Sequence, residues 1–140
     1  MPDGFEHSSL DEMETEPEKP GRRWELSPRF GVEGCNVNVA VLAPGERLSQ
    51  SHYHYHENQR ECVYVATGRC RAEVRDGHID LDTDDVVAFE SGPDGAHVLY
   101  NHTSEPCKLV ALGWPPEDRY PVVRDLLVET MAIGLTATPE

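Results

Sequence analysis

Residues 51–68, Ser51-His-Tyr-His-Tyr-His56-Glu-Asn-Gln-Arg-Glu61-Cys-Val-Tyr-Val-Ala-Thr67-Gly68, decide the reading of this chain. The first six residues alternate with a period of two. In a strand this sets His52, His54 and His56 on one face and Tyr53 and Tyr55 on the other. Glu57 to Arg60 is a polar connection. Glu61 to Thr67 is rich in β-branched and aromatic residues, the composition of a strand, and Gly68 stops it. Glu61 then points the same way as Val63 and Val65. A carboxylate among apolar neighbours is costly without a cation partner.

Working outward, the same pattern of short strands and turns continues. Cys35 to Leu42 alternates apolar and polar residues, and Ala43-Pro44-Gly45-Glu46 closes it with a turn. Arg69 to Arg75 and His78 to Leu81 form a hairpin about Asp76-Gly77. Asp85 to Phe89, Ala96 to Asn101 and Cys107 to Gly113 are further strands, and the loop at 90–95 holds two glycines and a proline. Pro121 to Ile133 places apolar residues at 122, 123, 126, 127 and 131, which fits one amphipathic helix opened by proline, although its valine-rich start also suits a strand. Seven or eight strands with no helix between them indicate an all-β sandwich or barrel. The expected division is a flexible acidic tail over 1–22, a barrel over 23–120, and a C-terminal helix and tail over 121–140.

Composition narrows the function. The chain has 26 acids against 12 bases, a net charge of −14, which repels nucleic acid and anionic membrane surfaces. With lysine only at 19 and 108, the balance also fits a protein adapted to high salt, where self-repulsion is screened. No apolar run approaches the roughly 20 residues of a membrane helix. The N-terminus has neither the basic nor the apolar segment of a secretory signal, so a cytoplasmic protein is expected. Cys35, Cys62, Cys70 and Cys107 show no metal-binding pairing and read as reduced structural thiols.

Histidines two apart on one strand face lie about 6–7 Å apart and can converge on one ion. His54, His56, Glu61 and, from a later strand, His97 form the expected ligand set for one divalent ion, Fe, Mn, Ni or Zn. His52-x-His54 is a competing pair. His52 could line the pocket mouth, act as a general base or stand in solvent, and it is the single weak candidate for a catalytic role. His7, His78 and His102 read as exposed. Tyr64, Tyr100 and Trp114 read as packing residues, and Asn101 as the residue that fixes a turn.

His54-x-His56, four residues, Glu61, six residues and Gly68 resemble the first motif of the cupin superfamily, with Pro44-Gly45 upstream and about three residues further away than usual. His97-Val-Leu-Tyr-Asn101 resembles the close of its second motif. Within that motif Asp84 stands where a turn glycine is expected, Glu90 or Ser91 where a proline is, and Gly92 lies five residues before His97 instead of three. The run Gly92-Pro-Asp-Gly95 resembles that of small single-domain cupins of mostly unassigned activity. The likeness covers roughly residues 35–113. It implies a jelly-roll barrel, a homodimer, and a small-molecule ligand such as a carboxylate or sugar. It leaves open a metal-dependent enzyme, dioxygenase or isomerase among others, and a non-enzymatic binding or sensing module.

Overall fold

In the computed structural model, residues 4–17, 21–49, 53–117, 122–123 and 137–138 are described. Two antiparallel sheets carry the chain. The first holds β1 (Arg22–Glu25), β2 (Asn36–Leu42), β9 (Cys107–Trp114), β4 (Arg60–Thr67) and β7 (Val86–Phe89), in that order across the sheet. The second runs β11 (Ala137–Thr138), β10 (Val122–Val123), β3 (Tyr53–His54), β8 (His97–Tyr100), β5 (Cys70–Val74) and β6 (Gly77–Leu81). A short helix α1 (Leu26–Phe30) follows β1 and ends on Gly31 in the left-handed conformation.

The core lies between the sheets. Val63, Val65, Leu42 and Leu109 of the first meet Cys70, Ala72 and Leu99 of the second, all close to fully buried. In β4 the expected alternation holds: Val63 and Val65 are sealed inside, while Tyr64 faces out. Gly68 then reverses the chain at φ +80° with no room for a side chain, since a Cβ there would lie 2.6 Å from the Pro106 carbonyl oxygen. Asp84, where a turn glycine is expected, does adopt φ +73°. Aspartate tolerates that region better than most residues, and its carboxylate accepts a hydrogen bond from the Tyr64 hydroxyl.

Several expectations are corrected. The alternation of β2 is inverted: Asn36 and Asn38 pair in register with the inward-facing Gly113 and Ala111, and Val37 and Val41 face out. Tyr64 and Trp114 stand on the outer face, 36% and 40% exposed, and so do not pack in the core. His102 is half-buried, and its Nδ1 has no hydrogen-bond partner. The β5–β6 turn is Arg75-Asp76, one residue earlier than the Asp76-Gly77 reading, because Val74 pairs with Gly77. Val122 and Val123 pair as a strand with β3 instead of opening a helix. The rest of the expected helix at 121–133 lies outside the described residues.

Part of the acidic N-terminal stretch lies along the first sheet. The Glu16 amide donates to the Arg23 carbonyl at 2.7 Å, and the Trp24 indole donates to the Met13 carbonyl at 3.3 Å. No helix among the described residues is long and apolar enough to cross a membrane.

Candidate metal centre

The second sheet supplies the imidazoles. His54 and His97 are directly paired residues of β3 and β8, and His56 follows two residues after His54, where the strand has ended. All three are buried, and their ligand nitrogens lie within 4.8 Å of one another. His54 Nε2 and His56 Nε2 are 3.3 Å apart. Two nitrogens held tetrahedrally on one ion, each about 2.1 Å from it, would sit about 3.4 Å apart, so this spacing suits a shared cation.

The first sheet supplies the carboxylate. Glu61, the second residue of β4, lies opposite Phe89 and Gly113, with one oxygen 2.9 Å from His97 Nε2 and the other 3.8 Å from His56 Nε2. Burial alone would push its carboxyl up. The hydrogen bond from His97, with the charges of His97, His56 and His54, outweighs burial and holds the group at about 2. Glu61 is therefore a carboxylate, the state in which it can meet a cation.

The position of His97 is set from both sides. Its ring stacks on Phe89 at a centroid distance of 3.6 Å, and Nδ1 lies 2.7 Å from the Gly95 carbonyl oxygen. A carbonyl only accepts, so Nδ1 carries a proton. Nε2 then either carries a second proton toward Glu61 or presents a lone pair to that carboxylate, which is repulsive unless a cation sits between them. A histidine ligand oriented by a carbonyl on its other nitrogen is the usual second layer of a metal site. The donor set thus fits a divalent ion.

Beside this cluster the inner face of the first sheet is open and polar. Glu61, Gly113 and Asn36 are consecutive partners across β4, β9 and β2. The Gln59 side chain lies over Gly113, where a Cβ would come within 2.4 Å of it, and donates to the Pro115 carbonyl at 3.0 Å. Past Gln59 is a cleft of about 650 Å³, lined among others by Arg23, Glu25, Ser27, Asn36, Asn38 and Glu33.

Of the five residues singled out in the sequence, four meet here: His54, His56, Glu61 and His97. His52 lies outside the described residues. Sequence reasoning missed the Gly95 carbonyl, the Phe89 ring and the Gln59–Gly113 pair, none of which has a motif. It also missed Asn36 and Asn38, whose signal was present: two asparagines on one face of an otherwise apolar strand.

The model of the cupin domain matches residues 38–113. No curated protein matches the chain in sequence. Among solved structures, a sugar phosphate isomerase of the cupin superfamily from Silicibacter pomeroyi is 25% identical at a TM-score of 0.67, covering 74% of this chain and 65% of its own. The chain thus spans just under two thirds of that protein. A cupin 2 conserved barrel domain protein from Salinispora arenicola is 23% identical at 0.63, over 79% and 89% of the two chains. A protein from Thermotoga maritima described as a predicted oxalate decarboxylase is 18% identical at 0.56, over 66% and 78%. The last two likenesses are of fold.

Proposed function

This chain belongs to the cupin domain family, and from that membership we propose that it holds one divalent metal ion, Fe, Mn, Ni or Zn, through His54, His56, His97 and Glu61, and there binds or transforms a small oxygen-rich molecule, a carboxylate or sugar. The observation that carries the reading is the convergence of three buried imidazoles within 4.8 Å of one another. The Glu61 carboxylate, 2.9 Å from one of them, supports it as fourth ligand. Bound there, the ion would supply Lewis-acid polarisation of a carbonyl or hydroxyl oxygen.

The chain's own residues do the rest. The Gly95 carbonyl and the Phe89 ring hold His97 in one orientation. Asn36 and Asn38 line the cleft on the same inner face with amides, groups that pair with hydroxyls and carbonyls. Glu25 and Glu33 in the same lining disfavour a strongly anionic group there, which supports the sugar over the carboxylate. The Silicibacter protein's description as a sugar phosphate isomerase agrees with the sugar, but a phosphate dianion would meet the same repulsion in this lining.

A second reading, a binding or sensing module with an anchoring metal, is favoured by one observation. Lys108, the one lysine among the described residues, faces outward from β9, so among the described residues no lysine joins the cluster.

Elemental analysis of purified wild-type protein beside His56→Ala tests the site. We expect about one metal equivalent in the first and a large loss in the second; equal content would sink the proposal. Turnover of small sugars and keto acids with each metal in turn separates the readings. Tight binding of one compound with no turnover of any would favour the module.

A further inference from the structure

Gly113 is a glycine with no backbone reason to be one. It lies inside β9, between Glu61 on β4 and Asn36 on β2, and its φ is outside the left-handed region. A glycine within a strand weakens it, and often marks a place where another group approaches closely. Here that group is the Gln59 carboxamide. A Cβ at 113 would lie 2.4, 2.6 and 2.7 Å from its Cδ, Oε1 and Nε2, so the amide sits face-on to the strand.

This packing divides the inner face of the sheet. Strands about 4.8 Å apart put Glu61 and Asn36 roughly 10 Å from each other, with Gly113 between them. The amide fills that interval, and Gln59 is buried. On the Glu61 side stand the three imidazoles. On the Asn36 side is the cleft of about 650 Å³, a volume typical of small-molecule sites. Its described lining includes Asn36, Asn38 and Pro116 but none of the four residues of the cluster. The divider is also tied down. Gln59 Nε2 donates to the Pro115 carbonyl at 3.0 Å, and Asn36 Nδ2 donates to the next carbonyl, that of Pro116, at 3.3 Å.

We propose that Gln59 is a specificity-determining residue that sets how far a ligand held at the cluster extends toward the cleft. Seated on Gly113, it confines the ligand to the Glu61 side. A longer ligand reaches Asn36 and Asn38 only by lifting the amide from Pro115. This role presupposes the metal site proposed above. The part of a ligand that enters the cleft carries hydroxyls in place of negative charge, since Glu25, Glu33 and Glu117 stand there with one guanidinium, Arg23.

Calorimetric titration of the zinc-loaded protein with glycolate and with gluconate tests this. The two α-hydroxy acids offer the ion the same head and differ in the length of a neutral tail. We expect the ratio of the gluconate to the glycolate dissociation constant to fall at least tenfold in Gln59→Ala and in Gln59→Ser, which empty the interval. Gln59→Met, which refills it without an amide, should restore the wild-type ratio. An unmoved ratio in both shortened variants, with zinc still bound, overturns this inference and leaves the metal site standing. The same holds if Gln59→Met behaves as Gln59→Ala does, or if the zinc-loaded wild type does not bind glycolate. A chain that takes up no metal overturns both. If Gln59 serves only to anchor residues 115–116, Gln59→Ala will unfold at lower denaturant with the ratio unmoved, which also overturns the inference.

Discussion

Asn101 shows how much one side chain can organise. It is fully buried, and its amide donates to the Leu42 carbonyl at 2.9 Å and the Glu105 carbonyl at 2.6 Å. Its oxygen accepts from the Thr103 amide and hydroxyl at 2.9 and 2.8 Å. One residue thus satisfies both sides of the β8–β9 turn and ties it to β2, as a turn-fixing role requires. Asn101→Ala leaves those groups buried and unpaired, so chemical denaturation should show a loss of about 3 kcal/mol. Position and type were legible from the closing residue of the second motif. Its partners were not, because Leu42 is remote in sequence and only the fold brings its carbonyl near. The four residues of the cluster, His54, His56, Glu61 and His97, were legible for the same reason as Asn101. What orients them, the Gly95 carbonyl and the Phe89 ring, carries no signature, since any residue has a carbonyl and any strand can bury a phenylalanine.

Among the elements, β4 and the turn that leads from it to β5 in the other sheet follow their sequence most closely. Alternation in β4 aims Glu61 inward, and Gly68 turns the chain where a Cβ would strike the Pro106 carbonyl oxygen and, at 2.9 Å, Cys107 Cα. Both obstacles are backbone or fixed to it, so they cannot swing aside. Gly68→Ala should therefore cost about 3 kcal/mol by denaturant titration, from the left-handed backbone and the clash together. In β2 the period of the strand was plain, but its facing was not. Alternation says which residues share a face, not which face meets the core, and the usual assumption sends valines inward. Here the Trp24 side of the sheet takes Val39, while the polar cleft takes Asn36 and Asn38. At the C-terminal end, the two valines that open the expected helix instead extend a sheet through pairing with Tyr53 and His54. Pairing across 68 residues overrides a local helical period.

For the whole molecule the governing quantity is charge. At −14 over 140 residues the folded state concentrates like charges that the unfolded chain spreads apart. Some acids are locally compensated, as in the pairs Arg69–Asp82 and Arg75–Asp94, both at 2.7 Å. Exposed pairs of this kind contribute little each. Raising KCl toward about 1 M, where the screening length falls to about 3 Å, should raise the thermal unfolding midpoint of the metal-free protein. A midpoint that falls or stays flat would mean that self-repulsion is not what limits stability.

Sequence alone determined the all-β class, the strand periods in the centre of the chain and the identity of four converging residues. These are local properties, written in alternation, β-branched composition and the spacing of a motif. Only the tertiary structure decided which face of each strand is inside, what holds His97 in orientation and that Gln59 packs on Gly113. Those outcomes depend on which strand lies beside which, and no spacing along the chain records it. The three histidines lie 2 and 41 residues apart in the chain and within 4.8 Å in space. The sheet register closes that gap.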